Sequence, residues 1–421
     1  MSAQGGSGHF SLFRFLDRFL GGLACAAVSP LIHLMRLLAE GGLPRPRKIL
    51  VIKFFGLGSI LRGWPLFEAI RRAHPSAELH LLTFSSNTGI ARRMGSFTRI
   101  LDVDSSGPLR LLHDMFRRIG QIAVGRYDIV IDMEFFSNFA TLLTALTRAP
   151  VRVGYYLRLG FREGILNRIV PYNPARHITE VYAALGRAIG VESSAEAPRL
   201  RASEEDRGRL GELLSRRGIP PHAPIAVFGV TSSGLCDERA WPADCYAWLN
   251  DRLLSERPVR IAYVGSVRER PMVDAVLGSC RRKDGLNLAG ETDLGMLVAL
   301  LERSSLVVAH DSGPAHLADV VGAPLLALFG PESPDHYGPL GPRSAAFHAG
   351  LYCSPCLSAA NTKVAPCGGR NACMQAIRRE DVLEAAGRLL DGLPIPVERR
   401  AFWRGYGGRH SNEDWKTLRP A

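Results

Sequence analysis

The sequence predicts an α/β protein built from two doubly wound Rossmann-like domains, and three observations support this fold class. The chain has 421 residues, a length that suits two domains of ordinary size. Short apolar runs alternate with helix-length amphipathic stretches, in two series separated by a more polar stretch. The second series ends in a strand, a tight polar turn, a helix and another strand. Because such sheets bind ligands beyond the carboxyl ends of their strands, we expect a ligand in a central cleft between the domains.

The first domain is predicted to span residues 47–200. Its strand candidates are apolar and rich in Val, Ile and Leu, and its helix candidates lie between them. The predicted strands are Ile49 to Phe54, Leu79 to Phe84, Ile100 to Val103, Ile129 to Met133 and Val151 to Val153, and the predicted helices are Leu66 to Ala73, Leu109 to Ile119 and Thr141 to Thr147.

The second domain is predicted to span residues 224–394, after a polar linker at 201–223 that contains a charged helix and the Pro220-Pro221 pair. Its elements continue the same alternation. They are strands at Ile225 to Gly229, Val259 to Val264, Leu306 to Ala309 and Pro324 to Phe329, with helices at Pro242 to Leu254, Glu269 to Cys280 and Leu294 to Arg303 and one opening at Pro314.

Both ends of the chain differ from the domains. Residues 1–46 contain an apolar stretch that is interrupted by charges and by Pro30, so we expect an amphipathic segment in the membrane interface, with a helix packed on the domain surface as the alternative. The tail, residues 395–421, is basic and aromatic, and the sequence does not place it. The net charge of +12 comes from scattered arginines, which favours anionic membranes or phosphorylated substrates and disfavours nucleic acid.

The turn between the predicted strand Leu306 to Ala309 and the next helix has the features of an anion site. Ser312 is suited to the N-cap of that helix, and Pro314 is suited to its first turn. Free backbone N–H groups and the helix dipole would then point at one spot, where a phosphate would bind. An ordinary strand-to-helix turn remains the alternative.

The first domain opens on a glycine-containing loop. Gly56 and Gly58 follow a buried strand and allow a close backbone approach to a ligand. A dinucleotide-binding motif would need a third glycine where Leu61 stands and an acidic residue after the second strand. An NAD-dependent oxidoreductase is therefore disfavoured.

Several segments together resemble glycosyltransferase family 9, the ADP-heptose:lipopolysaccharide heptosyltransferases. They are ILVIKFFGLGSIL, the Arg239-Ala240-Trp241-Pro242 segment, the Gly265 to Glu269 turn, AGETDLGMLVALL and DSGPAHLADVVGAPLLALFGPESPDHYGP. The resemblance implies a GT-B fold, an ADP-heptose or related donor held by the C-terminal domain and an acceptor held by the N-terminal domain. It also implies inversion at the anomeric carbon without a catalytic metal or other required cofactor.

The same resemblance implies roles for individual residues. Asp311, Ser312 and Gly313 match the donor-phosphate turn, and His316 follows as a positioning or packing group. Arg239 replaces the lysine usual in the family's K-x-W-P pattern, which keeps the charge and changes the geometry. Glu269 matches an acidic residue that binds the donor ribose, although a helix N-terminal glutamate is the alternative.

One position departs from the family pattern. Ser59 stands where the family has the aspartate that acts as general base, and a hydroxyl has no useful basicity near neutrality. We expect Glu134, at the end of the strand YDIVIDME, to replace that carboxylate, with Asp132 as the second candidate because residues two apart share a strand face. A structural or acceptor-binding Glu134 remains the alternative.

Four cysteines cluster late in the chain. Cys353, Cys356, Cys367 and Cys373 have a spacing compatible with a structural zinc or iron–sulfur site, while a disulfide and reduced thiols that order a loop are the alternatives.

The predicted function is an inverting, metal-independent glycosyltransferase. It would move a heptose or similar sugar from a nucleotide-diphosphate donor, ADP-heptose being favoured, to a lipopolysaccharide or other lipid-linked cell-surface glycan. Such an enzyme would be cytoplasmic and peripheral at the inner membrane. A non-catalytic nucleotide-sugar-binding protein stays open because of Ser59, and the oxidoreductase is the third alternative.

Overall fold

The structure is a computed structural model that describes residues 17–37, 45–156, 162–193, 198–231, 236–358 and 365–395. The chain divides into two compact units, Met1–Pro198 and Arg199–Ala421, which are described separately below. Residues 1–16 and 38–44 of the predicted membrane segment and nearly all of the predicted tail lie outside the described residues.

Unit 1 contains a parallel six-stranded sheet whose strand order is β3-β2-β1-β4-β5-β6. This is the order of a Rossmann sheet, and its direction switches between β1 and β4. The strands are β1 Lys48–Ile52, β2 Glu78–Phe84, β3 Arg99–Val103, β4 Ile129–Asp132, β5 Val151–Tyr156 and β6 Arg168–Pro171. The helices are α1 Gly22–Leu37, α2 Leu57–Ala73, α3 Thr88–Met94, α4 Pro108–Ala123, α5 Asn138–Leu146 and α6 Ile178–Arg187.

Unit 2 repeats this arrangement. Its parallel sheet has the order β12-β11-β10-β7-β8-β9, with the switch between β7 and β10. The strands are β7 Ile225–Gly229, β8 Arg260–Val264, β9 Leu286–Asn287, β10 Leu306–His310, β11 Leu325–Phe329 and β12 Ser344–His348. The helices are α7 Glu204–Arg216, α8 Ala243–Glu256, α9 Arg270–Ser279, α10 Leu294–Arg303, α11 Gly313–Val321, α12 Pro334–Tyr337, α13 Ala372–Gln375 and α14 Arg379–Leu390.

The central strands of both sheets are buried on both faces, which explains their continuous apolar sequences. Helix α2 begins at Leu57, nine residues before the predicted start, and it contains Pro65 in its interior. Glycines and a proline in GLGSILRGWP made this stretch look like a loop, because both residues are unfavourable inside helices. Its early start places Ser59 in the first helical turn instead of in a loop.

The described part of the N-terminal segment packs on unit 1. A π-helical turn, Asp17–Gly21, leads into α1, which packs against α5 and the short helix Arg162–Gly164. The Asp17 carboxylate accepts hydrogen bonds from the first amides of α5, at 3.0 Å from Asn138 N and 2.7 Å from Phe139 N. No helix within the described ranges is both long enough and apolar enough to cross a bilayer.

Candidate functional site

The polar turn of unit 2 lies between β10 and α11, beside the switch in strand order. Ser312 occupies the N-cap position with extended backbone, and Pro314 stands in the first turn of the helix. The Ser312 hydroxyl donates to the His310 carbonyl at 3.2 Å and does not cap the helix amides. The first amides of α11 therefore have no side-chain cap, which is the arrangement that suits an incoming anion.

The guanidinium of Arg239 lies against this turn. Its Nη1 donates to the Asp311 carbonyl at 3.3 Å and lies 3.4 Å from Asp311 Oδ2, while Nη2 lies 3.7 Å from Glu332 Oε2. Burial disfavours the charged form of Arg239, but the charges of Asp311 and Glu332 outweigh that effect and raise its pKa. Its buried Nε has no hydrogen-bond partner among the described residues, so one donor remains for a ligand.

His310 joins the Arg239 segment to the turn. Its ring Nε2 accepts a hydrogen bond from the Trp241 amide at 2.8 Å, so the ring proton of the neutral form lies on Nδ1. Complete burial lowers the pKa of His310 to about 4, so the ring is neutral near pH 7. The indole of Trp241 donates to the Ile377 carbonyl at 3.1 Å, which fixes the segment from its other side.

His316 and Glu269 occupy different positions in unit 2. His316 Nε2 lies 3.2 Å from Asp311 Oδ1, so this side chain orients the aspartate of the turn, as a positioning group would. Glu269 lies between β8 and α9, where its Oε2 accepts a hydrogen bond from the Ser266 amide at 2.7 Å. This contact gives Glu269 a local role at a helix start, and its predicted role toward a ribose stays a prediction.

In unit 1, Glu134 lies just beyond the end of β4, next to the loop that follows β1. Its Oε1 accepts hydrogen bonds from Lys53 Nζ at 2.9 Å, Phe54 N at 2.7 Å and Phe55 N at 3.0 Å. Glu134 and Lys53 are both almost completely buried, and Glu134 Oε2 has no hydrogen-bond partner within the described chain. The carboxylate therefore holds the backbone of the loop after β1 through one oxygen and leaves the other unused.

Asp132 belongs to a separate buried network. Its Oδ2 accepts hydrogen bonds from Arg162 Nη2 at 2.5 Å and from Thr141 Oγ1 at 2.8 Å, and its Oδ1 accepts the Glu134 amide at 3.0 Å. Burial raises the pKa of Asp132, and the Arg162 charge opposes that rise. Both carboxylate oxygens accept hydrogen bonds, and through them Asp132 holds β4, α5 and the chain near Arg162 together.

The glycine loop and Ser59 complete the unit 1 arrangement. Gly56 has φ +84°, a conformation that L side chains rarely adopt, and Gly58 is buried in the first turn of α2. Ser59 is partly exposed at the start of α2. The buried hydroxyl of Tyr182 on α6 has Ser59 and Glu134 as polar neighbours, and burial is the main cause that raises its pKa.

The four late cysteines are neighbours in unit 2. Burial raises the pKa of Cys373 to about 12 and that of Cys356 to about 11, and the thiols of the cluster, Cys353 and Cys367 included, add to both shifts. Across the ranges that the structure describes, however, no three His, Cys, Asp or Glu side chains are arranged to hold a metal ion. The arrangement does not fit a metal, and all four cysteines are free thiols.

Sequence reasoning missed four residues of these sites. Glu332 follows the predicted strand Pro324 to Phe329, His310 follows the predicted strand Leu306 to Ala309, and Lys53 lies near the end of the predicted strand Ile49 to Phe54. Their polar or charged side chains were a signal, because such residues are rarely buried. Tyr182 had no local signal, because only the packing of α6 on α2 brings it to Ser59.

Comparison with known proteins identifies the family. The model of glycosyltransferase family 9 (heptosyltransferase) matches residues 115–365. The chain belongs to this family. Lipopolysaccharide heptosyltransferase 2 of Salmonella typhimurium is 28% identical over 316 residues, which are 70% of this chain and 85% of that protein. The predicted family and the predicted enzyme class, a glycosyltransferase, are therefore confirmed, and the oxidoreductase alternative is set aside.

Solved structures agree with the fold. A family 9 glycosyltransferase from Veillonella parvula superposes with a TM-score of 0.68 at 23% identity, covering 82% of this chain and 97% of that one. The E. coli ADP-heptose lps heptosyltransferase II superposes with a TM-score of 0.66 at 22% identity, covering 82% and 99%. The predicted α/β class of the GT-B type, with two doubly wound Rossmann-like domains, is confirmed.

Proposed function

We propose that this glycosyltransferase moves a heptose from ADP-heptose to a lipopolysaccharide acceptor, with inversion and without a catalytic metal. Family membership and the names of its relatives support the sugar and the acceptor: the Salmonella relative is a lipopolysaccharide heptosyltransferase, and the E. coli structure is that of an ADP-heptose lps heptosyltransferase.

The observation that carries the donor proposal is the anion site of unit 2. A nucleotide sugar leaves behind a diphosphate, whose negative charge must be stabilised as the glycosidic bond breaks. Arg239 offers a buried charge and a free Nε, and the uncapped start of α11 offers amides and the helix dipole. These groups supply the positive potential that a metal ion would otherwise supply.

The catalytic step follows from the residues of unit 1. In a single displacement, the acceptor oxygen bonds to the anomeric carbon, the bond to the diphosphate breaks, and the acceptor's proton goes to a base. We assign that base to Glu134 through its unused Oε2. Glu134 is fully buried while Ser59 is partly exposed at the start of α2, so the proton would have to travel inward to reach the carboxylate. Asp132, with both oxygens bonded, positions the end of β4.

A panel of ADP-, GDP- and UDP-sugars tests this function. We expect nucleotide release only with ADP-heptose and only when a heptose-deficient lipopolysaccharide is present. A chelator should leave the rate unchanged, because no step uses a metal ion. Tight binding of a nucleotide sugar without any release would instead support the non-catalytic alternative.

The location follows from the acceptor. Since lipopolysaccharide precursors are anchored in a bilayer, we propose that the enzyme works as a peripheral protein on the cytoplasmic face of the inner membrane. We expect attachment through surface chemistry, because apolar area and positive charge together bind a protein to an anionic bilayer.

A further inference from the structure

We propose that helix α4 carries a docking surface for an anionic lipid bilayer. The central part of this surface is an apolar stripe formed by Leu109, Leu112 and Phe116, whose side chains are 81%, 56% and 66% exposed. An α-helix turns by about 100° per residue, so these three side chains fall within an arc of about 60° on one face. Large apolar side chains gathered in this way mark an interaction surface, whereas single exposed ones do not.

The face of the same helix next to the stripe is already buried. Leu111, Met115, Ile119 and Ile122 pack into the core of unit 1, against the sheet. Core packing explains the residues on that face, whereas Leu109, Leu112 and Phe116 continue the apolar face beyond its buried part and stay exposed. An ordinary surface helix becomes polar where it leaves the core, and α4 stays apolar there.

The charges beside the stripe favour an anionic partner. Residues 108–126 contain four arginines and one aspartate, and three of these arginines are exposed, since Arg118 is buried against Asp102. Arg110 and Arg117 lie beside the stripe on its solvent side, and both are exposed. Arg110 Nη1 lies 3.7 Å from Asp104 Oδ2 and donates to Ser106 Oγ at 3.2 Å, and Arg117 Nη2 donates to Asp114 Oδ1 at 3.0 Å. Exposed pairs of this kind contribute little, so both guanidinium groups are available to lipid phosphates. A second copy of the chain would bring like charges together, which disfavours self-association through this face.

A second exposed apolar patch lies nearby. Phe19, Leu20 and Leu23 are each about 60% exposed on the π-helical turn and the start of α1. Helix α5 contacts both the π-helical turn that carries this patch and α4. The two patches therefore lie on elements that share one neighbouring helix.

The surface lies at the catalytic edge of unit 1. Helices α4 and α5 follow β3 and β4, so both begin at the carboxyl edge of the sheet, where the Gly56 loop and Glu134 also lie. Docking here would hold the bilayer beside the loop that receives the acceptor. This step rests on the proposed function, because it assumes that the acceptor is anchored in lipid.

Sedimentation of the full-length protein with vesicles tests the surface. We expect binding to vesicles of phosphatidylethanolamine with phosphatidylglycerol and weaker binding to phosphatidylcholine alone. The triple variant Leu109→Ser, Leu112→Ser, Phe116→Ser should lose at least tenfold in vesicle affinity. A control variant, Val267→Ser with Met272→Ser, removes apolar side chains of similar exposure from unit 2 and should bind as the wild type does. Equal binding of the triple variant and the wild type, or no binding by either, would overturn the proposal.

Activity measurements separate this proposal from the proposed function. The triple variant should keep the wild-type rate on a deacylated, water-soluble acceptor and lose rate on an acceptor embedded in vesicles. An inactive wild type that still binds vesicles through α4 would refute the function and leave the surface intact. Sedimentation velocity without lipid completes the test: if the triple substitution changes the oligomeric state, the face binds a second copy and the lipid proposal is wrong.

Discussion

At the scale of single residues, the question of catalysis centres on position 59. The family resemblance implies a carboxylate there, and this chain has a serine whose hydroxyl lies beside Tyr182. The sequence indicated Glu134 as the replacement, and the structure adds that its Oε1 holds the loop after β1 while its Oε2 is unused. The sequence could not show which carboxylate oxygen is bonded and which is unused, because the contact to Lys53 joins residues 81 positions apart.

Replacing Glu134 tests its assignment. Glu134→Gln removes the proton acceptor and keeps the shape, so the turnover number should fall by about 10²–10⁴-fold while donor affinity stays constant. Ser59→Asp in the Glu134→Gln background restores a carboxylate near the same site and should recover part of the rate. Steady-state kinetics of both variants measure this. Full turnover by Glu134→Gln would show that the base lies elsewhere.

Replacing Arg239 tests the anion site. Arg239→Ala removes a charge-assisted hydrogen bond to the diphosphate, worth about 1.5–3 kcal/mol, and should weaken ADP binding by roughly ten- to a hundredfold. Arg239→Lys keeps the charge with fewer donors and should weaken it less. Calorimetric titration with ADP measures both affinities, and an unchanged affinity in Arg239→Ala would place the diphosphate away from this residue.

At the scale of elements, the end of β10 and the turn after it form the proposed anion site. His310 is the last residue of β10, and its neutral ring holds the Trp241 amide next to Arg239. The sequence predicted this strand, this turn and this helix, because apolar runs, a potential N-cap and Pro314 are local signals. It did not predict that the Ser312 hydroxyl would bond to the His310 carbonyl, since that choice depends on the turn's backbone.

The buried His310 should make stability depend on pH. Its pKa is lowered from 6.5 to about 4 in the folded protein, so the unfolded chain binds more protons between these values. The contribution of the neutral ring is therefore complete above about pH 6.5 and is lost as the pH falls toward 4. At about 1.4 kcal/mol per pH unit, the loss is on the order of 3 kcal/mol. Urea unfolding of wild type and His310→Gln over this range measures it, and identical pH slopes for the two proteins would contradict the assignment.

At the scale of the whole molecule, the sequence predicted most of both sheets. Central strands are buried on both faces and are therefore continuously apolar, which makes them visible in the sequence. The strands that escaped prediction, β6, β9 and β12, all lie at sheet edges, where short length or small side chains weaken the signal. The exposed stripe on α4 also escaped prediction. Its residues fit the apolar pattern of a helix that faces the core, and the sequence does not show where the core ends.

The duplication of one Rossmann order in both units explains the distribution of roles that we propose. Each sheet has a switch point, and the residues named for the acceptor follow β1 and β4 while those named for the donor phosphate follow β10. The proposed roles thus place one ligand-binding edge in each unit, as a transferase with two substrates requires.

The anomeric configuration of the product tests the central claim most directly. The protein is incubated with ADP-heptose and a heptose-deficient lipopolysaccharide, and the glycosidic linkage of the isolated product is determined by NMR. The account predicts one added heptose whose anomeric configuration is opposite to that of the donor. A product with retained configuration, or acceptor that stays unmodified while the protein binds ADP-heptose, would contradict it.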